Sequence, residues 1–87
     1  MSIEIEPYAG EHAQRLTIGK LILWFSYKAI IGFKEPGKEI RTSENLWGNT
    51  TGKHLNSIDG GDKKGRLKRD VFQAELSNLL IRYRLEV

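Results

Sequence analysis

Leu21-Ile22-Leu23-Trp24-Phe25-Ser26-Tyr27-Lys28-Ala29-Ile30-Ile31-Gly32-Phe33-Lys34 is the stretch on which the fold turns. Its two runs, Leu21 to Tyr27 and Ala29 to Lys34, are rich in the branched and aromatic residues that favour strands. They follow one another too closely for a parallel crossover, so an antiparallel pair is the simplest closure. Upstream, Leu16 and Ile18 alternate with polar neighbours, and Gly19-Lys20 offers a turn into Leu21. Downstream, Glu35-Pro36-Gly37-Lys38 is a strong turn: proline fixes φ at the first corner, and glycine supplies the positive φ the second can require. Glu39 to Ser43 then returns as a strand. Before all of these, Ile3 and Ile5 alternate with Ser2, Glu4 and Glu6 until Pro7 and Gly10 interrupt them. Residues 1–13 therefore read as an N-terminal arm or edge strand, and residues 14–87 as a single α+β domain.

A strand with one solvated face alternates apolar and polar residues. Leu21 to Phe25 does not, and neither does Ala29-Ile30-Ile31. Leu21, Leu23, Phe25 and Tyr27 point one way, and Ile22 and Trp24 the other. Two helices can cover one face of such a sheet, and the opposite face then needs a second cover. Either residues 1–14, with Ile3, Ile5 and Tyr8, fold back over it, or Ile22, Trp24 and Ile30 form an apolar interaction surface. The second alternative admits a homodimer.

The helices come from the second half. Thr50 and Thr51 are good N-cap residues for a short helix over Gly52 to Ile58, ended by Asp59-Gly60-Gly61-Asp62. A longer amphipathic helix starts near Lys68 to Asp70, with Phe72, Leu76, Leu79, Leu80 and Tyr83 on one face. The alternation of Ile81, Tyr83, Leu85 and Val87 with Arg82, Arg84 and Glu86 reads equally as a final strand. The expected architecture is a small antiparallel meander of three to four strands, then the short helix, then the longer C-terminal helix packed on one sheet face.

With 87 residues and no cysteine, the chain has a small core and neither a disulfide nor a thiolate metal site to reinforce it. Its longest apolar run, Leu21 to Phe25, falls far short of the ~20 residues that span a bilayer. The acidic start, Ser2 to Glu6, has no secretory character, and a cytoplasmic setting is expected. The net charge of +3 is unevenly placed. Residues 1–44 carry six basic and six acidic side chains, and residues 45–87 carry eight and five. Five of the cations, Lys63, Lys64, Arg66, Lys68 and Arg69, fall within seven positions.

Gly48-Asn49-Thr50-Thr51-Gly52-Lys53-His54 resembles a phosphate loop only superficially. A P-loop separates its glycines by four residues and follows Lys with Ser or Thr. Here the spacing is three, and His54 stands where the hydroxyl belongs. Two alternatives remain: a plain capped helix, or an anion site at a helix start beside Lys53 and His54. His12 and His54 are isolated, and Asp59 and Asp62 lack the ligand series of a calcium loop, so neither a metal nor another cofactor is expected. No nucleophile stands beside a base along the sequence, and no small-molecule substrate suggests itself.

Phe25-Ser26-Tyr27, Ile30-Ile31-Gly32-Phe33, Ser43-Glu44-Asn45-Leu46-Trp47 and Thr50-Thr51-Gly52-Lys53-His54-Leu55-Asn56 together resemble a group of small uncharacterised proteins of phages, mobile elements and archaeal viruses. The group is built on a Ser-Tyr, short strand, Thr-Thr-x-x-His pattern, and the resemblance covers roughly residues 21–76. It implies a setting inside a host cell and singles out Thr50, Thr51 and His54. No activity comes with it.

The basic run is the strongest functional clue. Together with Lys53 it can neutralise several phosphates, the contacts that dominate nonspecific nucleic-acid affinity. The expectation is a non-enzymatic accessory factor that binds nucleic acid through Lys53, His54, Lys63, Lys64, Arg66, Lys68 and Arg69. The alternative is a modulator of a host protein complex, acting through the apolar sheet face or through the same cations against an acidic protein surface.

Overall fold

A computed structural model describes residues 2–85. Five strands, β1 (Ile3–Pro7), β2 (Ala13–Ile18), β3 (Leu21–Ser26), β4 (Ala29–Lys34) and β5 (Arg41–Thr42), precede two helices, α1 (Asn49–Asp59) and α2 (Arg69–Arg82). A single 3₁₀ turn, Lys63–Gly65, lies between the helices. The strands form one antiparallel sheet in sequential order, the meander expected from the short turns. It has five strands rather than three or four, because β1 pairs along its whole length with β2, from Ile3 opposite Ile18 to Pro7 opposite Gln14.

The two faces of β3 are both buried, as their composition demands, but each has its own helix. Leu21, Leu23, Ile30 and Phe33 pack against Phe72, Leu76 and Leu79 of α2. Trp24 and Ile31, on the other side, pack against Leu55 and Ile58 of α1. The expectation that both helices share one face is therefore corrected: the chain is a three-layer α/β/α arrangement, with the longer helix alone on its face. The arm is not the second cover either. β1 lies in the plane of the sheet, with Ile3 and Ile5 exposed, and only Tyr8 reaches the core under α1.

β4 departs from strict alternation at one place, where the consecutive residues Ile31 and Gly32 share one face. Trp24 faces Gly32 and Phe25 faces Ile30, so Ile31 is an extra residue in β4, a β-bulge. The bulge leaves Ile31 on the α1 side. Gly32 faces that side too, since a Cβ there would lie 3.5 Å from the Ile58 side chain.

α1 begins at Asn49, three residues earlier than its composition suggests, and ends at Gly60, whose left-handed conformation (φ 69°) suits a glycine C-cap. Its buried residues, Thr51, His54, Leu55 and Ile58, follow the spacing of one helical face. Neither threonine caps it: Thr50 and Thr51 lie inside the first turn, and the N-cap is Gly48. Asn45 instead fixes the turn into the helix, accepting from the backbone N–H of Trp47 and Gly48 and donating to the Gly48 carbonyl.

The C-terminal ambiguity resolves as helix. α2 runs to Arg82, after which the Arg84 N–H bonds to the Ile81 carbonyl and the Leu85 N–H to the Leu80 carbonyl. This is a Schellman closure with Arg84 in the left-handed position usually held by glycine. Glu86 and Val87 lie outside the described residues.

Candidate functional site

The residues of the Ser-Tyr and Thr-Thr-x-x-His segments, far apart in sequence, meet where the end of β3 passes under α1. Ser26 Oγ lies 2.8 Å from His54 Nδ1 and 2.9 Å from Thr51 Oγ1. Helical periodicity puts Thr51 and His54 on one face, and the strand alternation that turns Ile22 and Trp24 toward α1 turns Ser26 the same way. The neighbouring aromatics close around the cluster. The Tyr8 ring meets His54 edge-on, and its hydroxyl donates to the Phe25 carbonyl; burial pushes the phenol up to about 12. Tyr27 stacks on His12 at 4.6 Å, and both adopt left-handed backbone conformations that are costly for such residues.

A hydroxyl beside an imidazole is the geometry of an activated nucleophile. Here, however, Ser26 is 3% and His54 2% exposed, and the serine oxygen is shared with Thr51. Burial lowers the His54 pKa below the ordinary value of 6.5; a hydrogen bond with the Glu11 backbone works against this, and nearby His12 adds to it. Which of Ser26 and His54 donates in their contact follows the imidazole tautomer. The arrangement ties α1 to the sheet through polar groups in an otherwise apolar interface. His54 is thus a core residue and not an anion ligand, a correction to its place among the phosphate contacts. Neither a serine at a strand end nor a histidine in a helix announces this from local sequence.

The basic run divides in two. Arg66 is internal. Its guanidinium makes a two-pronged pair with Asp59 at 2.7 and 3.1 Å and also donates to Asn56. Burial by itself would raise the Asp59 carboxyl. Hydrogen bonds from Arg66, the Gly61 N–H and Thr42 more than offset this and hold it below the usual carboxylate range. Arg69 is half-buried and also engaged within the fold. It lies over the rings of Trp47 and Phe72, at 5.0 and 5.2 Å, and donates to the Ile30 carbonyl. Both arginines are spent on structure, which corrects their place among the free cations. The start of α2 carries compensating negative charge, because Glu44 accepts from the Arg69 N–H and Asp70 stands in the first turn.

Lys53, Lys63, Lys64 and Lys68 are exposed, and among the described residues none of them is ion-paired. Lys53 and Lys63 line one cleft of about 640 Å³ with Asn45, Asn49, Asn56 and Arg66, between α1 and the 3₁₀ turn. Glu44 is the one acidic residue on its wall. The three asparagines carried no sequence signal of their own, and it is the chain path after β5 that brings them beside the lysines.

The other predicted surface does not exist as a surface. Trp24 is buried under α1 and Ile30 under α2, and Ile22 packs against the Trp24 cluster. Among the described residues, no helix is long and apolar enough to cross a membrane.

Residues 3–74, which hold both the Ser26–Thr51–His54 cluster and the lysine cleft, match the model of a family of unknown function, DUF8033. The chain belongs to that family. The match begins at β1 and stops within α2, so the five strands, α1 and the 3₁₀ turn of this DUF8033 member all lie within the family's span. No curated protein and no solved structure matches the chain significantly.

Proposed function

We propose that the chain is a small non-enzymatic binding protein whose partner is polyanionic, in first place the phosphate backbone of a nucleic acid. One observation carries this reading. Of the cations gathered between α1 and α2, the arginines are consumed by internal contacts, while Lys53, Lys63, Lys64 and Lys68 are exposed and without an internal counter-ion. Lysine presents a point charge on a flexible stem, suited to phosphate contact without base readout. Asparagine amides and a helix start in the same cleft add neutral donors for phosphate oxygens. The mobile-element setting implied by the sequence pattern fits an accessory factor of this kind.

Binding of random-sequence duplex DNA and of single-stranded RNA, followed by fluorescence anisotropy across a salt series, tests the proposal. Replacing Lys53, Lys63, Lys64 and Lys68 together with Glu should abolish binding at moderate salt. Stepwise neutralisation should reduce the salt slope by about 0.9 for each lysine that contacts a duplex phosphate. Absence of binding to either nucleic acid at low ionic strength would refute it. The alternative, an acidic protein surface as target, uses the same lysines. It is favoured if the wild-type chain retains a specific protein from host lysate, the four-lysine variant does not, and neither nucleic acid binds.

A further inference from the structure

The sheet has two edges, and they are finished differently. At β5 the edge is covered: Leu67 forms a parallel bridge with Ser43, its N–H bonding to the Thr42 carbonyl and its carbonyl accepting from Glu44. At β1, among the described residues, no strand pairs with the outer side. The pairing phase of β1 shows what that side offers. Bonds from the Gly19 N–H to the Ser2 carbonyl and from the Tyr8 N–H to the Ala13 carbonyl bracket the ladder. In an antiparallel pair, hydrogen-bonded positions alternate. Ser2, Glu4, Glu6 and Tyr8 therefore turn their backbone groups toward β2, while Ile3 and Ile5 turn theirs outward. Pro7, next in the outward set, has no N–H to offer and ends the ladder.

The same two residues carry the exposed apolar side chains. Ile3 is 65% and Ile5 69% exposed. Each shares a sheet face with its partner on β2, Ile18 and Leu16. Glu4 and Glu6 project on the opposite face, where Glu6 pairs with Arg15 and Glu4 is exposed. Natural edge strands of this length are commonly guarded by lysine or an inward charge. β1 has an acidic guard on one face and none on the other.

We infer that the free edge of β1 is a strand-addition site for an extended partner segment that alternates apolar and basic residues. The apolar residues would lie beside Ile3 and Ile5, and the basic ones beside Glu4 and Glu6. Charge decides between this occupant and a second copy of the chain. Antiparallel self-pairing that sets Ile5 opposite Ile3 or Ile5 of the other copy puts Glu4 opposite Glu4 or two Glu4–Glu6 pairs across the seam, and like charges directly opposite are destabilising. A basic strand converts those repulsions into attractions. The site is remote in sequence from the lysine cleft and does not depend on that cleft's function.

The test is an NMR titration of the full chain with two synthetic hexapeptides, alternating Val with Lys and alternating Val with Glu, at millimolar concentration. Expected are slowed hydrogen exchange at the Ile3 and Ile5 amides with the Lys peptide and binding about tenfold weaker for the Glu peptide, the equivalent of two reversed cross-strand charge pairs. Ile5→Pro removes an outward N–H without touching the β1–β2 ladder, so it should keep the native spectrum and lose the protection. Glu4→Lys should reduce or invert the preference between peptides. Equal binding of both peptides, protection elsewhere in the sheet, or a dimer that Ile5→Pro dissociates would each overturn the inference, the last in favour of a second copy.

Discussion

Ser26, Thr51 and His54 form a three-membered polar contact within a mostly apolar interface, so its energetics are asymmetric. Keeping it intact contributes modestly, whereas removing one member strands the others without solvent. Ser26→Ala is expected to destabilise the chain by about 1–3 kcal/mol, read from the shift of a urea denaturation midpoint at constant slope. His54 adds a pH dependence of definite sign. Its folded pKa lies below 6.5 because burial penalises the cation. The unfolded chain therefore binds the proton first: the contribution is complete above the unfolded value and is lost as pH falls through the folded one. Stability should be flat near neutrality and decline below about pH 6.5, and His54→Gln should remove that decline. The Asp59 contribution, also from a lowered pKa, is lost only in the carboxylate range and so separates from it. Arg84 offers the opposite case. It holds the left-handed position of the α2 closure, and no hydrogen bond or ion pair of its side chain compensates among the described residues. Arg84→Gly should stabilise the chain by about 0.5–1 kcal/mol, visible as a rise of a few degrees in a thermal melt.

The segment between α1 and α2 looks, by composition, like a solvated basic loop; in structure it is a strap pinned at two points. Arg66 fastens it to the end of α1 through Asp59, and Leu67 to the edge of β5. Lys63 and Lys64 before the pins and Lys68 after them are exposed, as is Asp62, which accepts from the Gly65 N–H. This division predicts two kinds of phenotype from neighbouring basic residues. Arg66→Ala should cost about 3 kcal/mol, because it leaves the buried Asp59 carboxylate without its partner. Lys63→Ala and Lys64→Ala should each change stability by less than about 0.5 kcal/mol. Denaturant midpoints of the three variants measure the contrast directly, and polyanion affinity should follow the reverse order.

At the level of the whole molecule, one sheet separates two small cores, each completed by a single helix. Neither helix can be lost without exposing an apolar face of β3 and β4, so the two cores are linked through the strands they share. Leu55→Ala under α1 and Leu79→Ala under α2 should each cost about 2–5 kcal/mol, a large fraction of a domain's usual margin. Because the sheet is common to both, each variant should still unfold in one transition, with circular dichroism and Trp fluorescence coincident. Two separated transitions would show that the layers behave independently.

The meander was legible in the sequence because short turns and period-two runs are local properties: Gly19-Lys20 and Pro36-Gly37 sit where they must for strands of this length. The doubly apolar character of Leu21 to Phe25 was equally legible, as was the face of α2 carrying Phe72, Leu76 and Leu79. What covers each face was not, since α1 and α2 are both adequate partners for either side, and the choice rests on the chain path after β5. The same limit governs the candidate site. Sequence spacing ranked Arg66 and Arg69 with the lysines because all five carry one charge. Only tertiary structure, by setting Asp59 beside one and Trp47 beside the other, decided which charges are satisfied within the fold and which remain for a partner.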